Sequence, residues 1–125
     1  DIDNFKNIND TYGHDFGDIV LIEIVNEVKG FIRSSDQLIR WGGDEFIGIF
    51  PGLKIEQAKE FGEKILERVS RLEIGNKENK IKVTISIGFS CFSKKDFDYN
   101  NVLKRVDDAL YKSKELGKNN VTLII

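Results

Sequence analysis

The sequence predicts one α+β domain, a mostly antiparallel sheet flanked by helices, and three observations carry the prediction. Apolar residues recur at helical spacing in three separate segments. Two short β-branched and aromatic runs flank a Gly-Gly turn, and one later segment alternates apolar with polar or small residues at a period of two. A hairpin interleaved among helices fits helices packed on an antiparallel sheet. With 125 residues, 40% of them hydrophobic, the chain has the material for a single core and no second domain.

The elements follow in order. Leu21, Ile24, Val25, Val28, Phe31 and Ile32 form the apolar stripe of a first helix, expected to start at Leu21 and end near Ser34. Gln37 to Trp41 and Phe46 to Phe50 read as two strands joined through Gly42-Gly43-Asp44-Glu45. Pro51 and Gly52 break the second strand. Ile55, Ala58, Phe61, Ile65, Leu66, Val69 and Leu72 mark a second helix, and the polar stretch from Gly75 to Lys80 a loop. From Ile81 to Cys91 the odd positions are apolar and the even ones polar or small, which predicts the clearest strand of the chain, with Cys91 as a small core residue. Val102, Leu103, Val106, Ala109, Leu110 and Leu116 line a third helix stopped by Gly117, and Val121 to Ile125 closes as a strand. If Asp1 ends a strand, the order is β-α-β-β-α-β-α-β.

Charge excludes some partners. The 19 basic and 21 acidic residues give a net −2 without a run of either sign, so neither a nucleic-acid surface nor a polybasic membrane patch is expected. No apolar stretch approaches the roughly 20 residues needed to span a bilayer. The single cysteine fits a reducing compartment, and the expected location is the cytoplasm, whether or not a parent protein is anchored to a membrane. The chain opens at Asp1-Ile2-Asp3 without an initiator methionine, which reads as a fragment.

Chemistry concentrates at two places. Asp44 and Glu45 follow two glycines in the hairpin turn, where a glycine with positive φ and a bare backbone could admit a phosphate chain while the carboxylates hold metal. The same residues are also ordinary hairpin-turn chemistry. Asp1 and Asp3 are expected to face opposite sides of the sheet, one of them toward the turn. Few carboxylates plus substrate phosphates suit Mg²⁺, and a solvated turn with a capping aspartate is the alternative. His14 reads as a loop hydrogen-bonder.

The run from Asp1 to Asp18, DIDNFKNINDTYGHDFGD, resembles the first signature of the GGDEF domain, the catalytic domain of bacterial diguanylate cyclases. Arg40-Trp41-Gly42-Gly43-Asp44-Glu45-Phe46 is similar to the naming motif. Val83 to Gly88 and Asp107 to Asn119 match the third and fourth blocks. The resemblance implies a fold like the ferredoxin-like palm of nucleotidyl cyclases, spanning residues 1–125 but lacking an N-terminal helix and most of the first strand.

The implied activity is condensation of two GTP into cyclic di-GMP by a homodimer, each 3′-hydroxyl attacking the partner's α-phosphate. Asp1, the Ile2 carbonyl and Asp44 would hold Mg²⁺, with Mn²⁺ as the alternative ion. Asn9 and Asp18 would bond the guanine edge. Lys6, Lys114 and Lys118, with the bare backbone of Gly42 and Gly43, would meet the triphosphate, and Glu45 would assist at the 3′-hydroxyl or the metal. Arg33-Ser34-Ser35-Asp36 resembles the family's inhibitory R-x-x-D, where cyclic di-GMP binds; an i,i+3 ion pair is the plain alternative. In relatives a second arginine from the next helix completes the inhibitory site, a position that Lys64 would take here. The chain departs from the family at Trp41, usually tyrosine, and at Lys118 and Lys64, usually arginines, where a point charge replaces a bidentate fork. A regulatory module that binds cyclic di-GMP or GTP without turnover is the second implied function.

Overall fold

The computed structural model describes residues 1–125. Its elements are α1 (Phe5–Tyr12), α2 (His14–Phe31), β1 (Gln37–Arg40), β2 (Phe46–Ile49), α3 (Ile55–Ser70), β3 (Ile74–Gly75), β4 (Lys80–Ile81), β5 (Ile87–Phe89), α4 (Tyr99–Glu115) and β6 (Val121–Leu123). The α+β class and the hairpin stand as expected, with β1 and β2 antiparallel and Arg40 opposite Phe46.

The strand end at residues 1–3 lies between two neighbours. On one side Ile2 bridges Ile85, with the Asp3 N–H donating to the Thr84 carbonyl and the Ser86 N–H to the Asp1 carbonyl. On the other side the Ile2 N–H donates to the carbonyl of Asp44 at 3.1 Å. The hairpin turn is therefore stitched to the strand end through main-chain atoms.

Three expectations about the elements need correction. The first helix begins at His14, not Leu21, and ends at Phe31; a separate two-turn helix, α1, precedes it. Gly13 at φ 92° does break the chain, but Gly17 does not. Its bare Cα lets α2 lie against Asn9 of α1. The alternating run from Ile81 to Cys91 is not one strand, because its pairing partner changes along its length. Lys80–Ile81 pairs with β3, residues 84–86 with the chain start, and β5 with β6. Cys91 falls beyond β5 and is half-buried. The direction of β5 and β6, which the sequence left open, is parallel, because α4 crosses over between them.

The core lies where the apolar face of this sheet meets α2 and α3. Ile2, Val83, Ile85, Phe89 and Val121 from the sheet side pack with Val20, Leu21 and Ile24 of α2 and Ile65, Leu66 and Val69 of α3. The opposite face carries α4. A Cβ at Gly88 would lie 2.4 Å from the Leu110 nitrogen and 2.5 Å from the Val106 oxygen, so helix backbone rests directly on strand backbone. Small residues repeat at that contact: Ser86, Ala109 and Ser113 are fully buried, and the Ser113 hydroxyl bonds the Ile87 carbonyl and Thr122, each at 2.8 Å. Ser86 and Gly88, at even positions of the alternating run, are small because a helix covers them. Asp98 and Asn101 cap α4 reciprocally, and Gly117 at φ 107° ends it. Leu116, expected inward, is 69% exposed.

Candidate active site

Asp1 and Asp3 lie on the same face, the α4 side, as a two-residue separation requires; the expected split between the faces is wrong. Their roles differ because their neighbours differ. Asp3 is buried and fully engaged: Ser86 Oγ donates to Oδ1 at 2.6 Å, and Thr84 Oγ1 and the Asn119 N–H donate to Oδ2 at 2.7 and 3.0 Å. Asp1 pairs with Lys114 through Oδ2, while its Oδ1 is buried without a hydrogen-bond partner. A buried carboxylate oxygen without a donor is costly, and a hard cation satisfies it.

Asp44 and the Ile2 carbonyl complete the proposed ligand set. In an extended strand the N–H and C=O of one residue point to the same side, so the Ile2 carbonyl faces the hairpin turn to which its N–H is bonded. The Lys114 ammonium thus meets Asp1 at the strand end, and the main chain of Asp44 lies directly against Ile2. No three acidic, histidine or cysteine side chains form a cage; two carboxylates and a carbonyl suit an ion that takes its remaining ligands from phosphate.

The turn is held open by its own residues. Trp41 and Gly42 N–H groups donate to the Glu45 carbonyl at 2.9 and 3.2 Å, and the Arg40 guanidinium donates to the carbonyls of Gly42 and Gly43 at 3.1 and 2.8 Å. Neither glycine has positive φ, so the expected conformational reason for them fails. Nor does the chain itself need the space: a Cβ at Gly42 would sit 3.4 Å from Glu45 Oε2, an ordinary contact, and at Gly43 it would meet nothing within 4 Å.

The other site residues divide. Lys118 Nζ donates to Asn4 Oδ1 at 2.7 Å, bringing its charge beside Asp3 and Asn4. Lys6 lies exposed on α1 with no partner in the chain. Asn9 Oδ1 is buried and unpartnered, and it rests against Gly17, whose neighbour Asp18 is exposed. Asn9 and Asp18 thus lie at the same junction of α1 and α2. His14 opens α2 and is exposed.

Arg33 and Asp36 lie apart from this cluster, between α2 and β1. The Arg33 Nε and Nη2 donate to Asp36 at 3.1 and 2.7 Å, its N–H donates at 2.8 Å, and Nη2 also reaches the Pro51 carbonyl at 2.8 Å. The side-chain bonds of Arg33 hold the buried Asp36 carboxyl below the usual carboxylate range. Lys64 pairs with Glu60 at 3.4 Å and lines a cleft of about 440 Å³ between α2 and α3 with Phe31, Arg68 and Arg71. Sequence reasoning assigned no role to Arg40, Asn4 or Asn119. Arg40 was visible as the first letter of its motif, whereas Asn4 and Asn119 gave no signal of their own: Asn4 meets Lys118 across the chain, and Asn119 acts through its main-chain N–H, both from left-handed backbone.

The family model "Diguanylate cyclase, GGDEF domain" matches residues 1–120. Diguanylate cyclase A of Treponema denticola is 44% identical over 98% of this chain and 33% of its own length, and the response regulator PleD of Caulobacter vibrioides 38% identical over 97% and 27%. The chain thus spans a third or less of the length of these relatives. Diguanylate cyclase SiaD of Pseudomonas aeruginosa, solved with its activator SiaC, superposes at a TM-score of 0.93 with 32% identity, over 99% of this chain and 47% of that one. The coiled coil and GGDEF domain of DgcB from Caulobacter crescentus, in complex with c-di-GMP, superposes at 0.91 with 31% identity, over 99% and 66%.

Proposed function

The chain belongs to the GGDEF family, and from that membership and the site's geometry we propose that it condenses two GTP into cyclic di-GMP and two pyrophosphates. One observation supports this above the others. The Ile2 N–H bond to the Asp44 carbonyl sets a strand end bearing a half-satisfied carboxylate against an open, glycine-lined turn.

Each domain would hold one GTP, and two domains of a homodimer would face each other. Each 3′-oxygen forms a bond to the α-phosphorus of the other nucleotide, and the bond from that phosphorus to the pyrophosphate oxygen breaks. The hydroxyl proton leaves to a base, and the exposed Glu45 beside Gly42 is suited to receive it. Asp1, the Ile2 carbonyl and Asp44 would hold Mg²⁺, which when bound supplies positive charge to the phosphates. Lys114 and Lys118 add fixed positive charge, while Asn9 and Asp18 read the base, an amide and a carboxylate being able to tell guanine from adenine. Arg33 and Asp36 would bind the product as an inhibitor.

Incubation with GTP and Mg²⁺ tests the reading. The wild type yields cyclic di-GMP and pyrophosphate, and Asp44→Asn lowers the rate by about 100-fold or more with an unchanged melting temperature. A wild type that binds GTP without product would leave the non-catalytic module. Full activity in Asp44→Asn would remove the turn from the chemistry.

A further inference from the structure

Asp3 takes no part in the proposed ligand set, yet it is the most heavily bonded carboxylate at the strand end. It is 5% exposed and accepts from two hydroxyls and one main-chain N–H, while Lys114 pairs with Asp1. The N–H belongs to Asn119, at φ 46°, and the residue before it, Lys118, has φ 63°. Two consecutive non-glycine residues in the left-handed region form a turn that needs outside support. One support comes from α4, through the Lys118 N–H to the Ser113 carbonyl at 3.1 Å, and the other is Asp3. The Lys118 side chain then crosses to Asn4, itself left-handed at φ 58° and next to Asp3 in the chain.

We propose that Asp3 is a positioning residue of the active site: its carboxylate pins the left-handed turn at Lys118–Asn119 and so sets the Lys118 ammonium where it meets the nucleotide's phosphates. The proposal rests on the cyclase reading for the identity of the nucleotide. All three partners donate to Asp3, so an alanine removes every acceptor at once and leaves the Asn119 N–H without its support. The turn then relaxes, and Lys118 leaves its place without any change at Asp1 or Asp44. An asparagine, whose amide oxygen can still accept from Thr84 and Asn119, holds the turn.

The effect falls on binding before chemistry. In Asp3→Ala the KM for GTP and the dissociation constant of a fluorescent GTP analogue rise about tenfold while kcat falls less than about threefold, and Asp3→Asn stays closer to wild type. Lys118→Ala gives a similar shift, and its combination with Asp3→Ala is no worse than either single one, because both changes remove the same contact. Asn119→Gly supplies a residue at ease in the left-handed region, so adding it to Asp3→Ala restores much of the lost affinity. Equal falls in kcat and affinity, additive effects with Lys118→Ala, or no rescue by Asn119→Gly would each overturn the proposal. If Asp3→Ala does not fold, hydrogen exchange on the wild type decides: the Asn119 amide is slow if it donates to Asp3, and fast exchange rejects the staple. A wild type that binds GTP and forms no cyclic di-GMP would defeat the cyclase reading alone, with the affinity measurements still deciding Asp3.

Discussion

Gly17→Ala should separate stability from nucleotide recognition. An added Cβ would sit 1.8 Å from Asn9 Oδ1 and 3.0 Å from its Cγ, where ordinary contact begins near 3.4 Å. The amide must therefore retreat by about 1.6 Å, further than any hydrogen bond tolerates. Folding suffers little, because the obstacle is the end of a side chain and Gly to Ala within a helix gains up to about 1 kcal/mol. The base loses one of its two proposed partners, which corresponds to roughly 10- to 100-fold weaker GTP binding. A fluorescent GTP analogue and a thermal melt measure the two quantities on one sample. The expected result is an unchanged or raised melting temperature with weakened binding, and Asn9→Ala in the same background weakens binding no further. Undiminished affinity in Gly17→Ala would show that Asn9 does not touch the base from this position.

Three further outcomes follow from other parts of the molecule. Arg33→Ala should weaken cyclic di-GMP binding by about tenfold or more and raise accumulated product without altering the initial rate; calorimetry showing equal binding by both proteins would reduce Arg33 and Asp36 to a surface pair. The Arg105 guanidinium, aided by the Ser93 N–H, lowers the Asp96 carboxyl from 3.8 to about 2. Because its folded value is the lower, this contribution is complete above about pH 4 and is lost as pH falls toward about 2, so denaturation of wild type and Asp96→Asn should converge over that window. Gly88→Ala should cost about 3 kcal/mol, since the new Cβ meets backbone that cannot step aside; an unaltered denaturation midpoint would mean that α4 is not seated there.

What the sequence made legible is what its periodicities encode. Three apolar stripes and a glycine turn gave the helices and the hairpin, because burial repeats at fixed spacing. The carboxylates of the proposed ligand set were legible through a motif, since Asp1 and Asp44 are distant in the chain and only a matched family pattern joins them. Partner changes along residues 80–89 were not legible: alternation reports which face is buried and nothing about which strand lies alongside. The start of α2 was hidden because the apolar stripe from which the helix was read begins at Leu21, a full turn and more after His14. Asp3 and Asn119 were hidden for a different reason, a side chain reading as polar surface while bonded to backbone more than a hundred residues away.

The seat of α4 on Gly88 has a mechanical consequence for Lys114. Leu110, at the pivot, is four residues before it, which on a helix is about 6 Å. Tilting the helix by about 10° around that point would carry the Lys114 backbone only about 1 Å, well within what a lysine's flexible stem absorbs. Such a short lever makes the Asp1–Lys114 pair a poor gauge of force applied to the helix's far end. Tilting α4 about this seat is therefore an ineffective way to part Lys114 from Asp1.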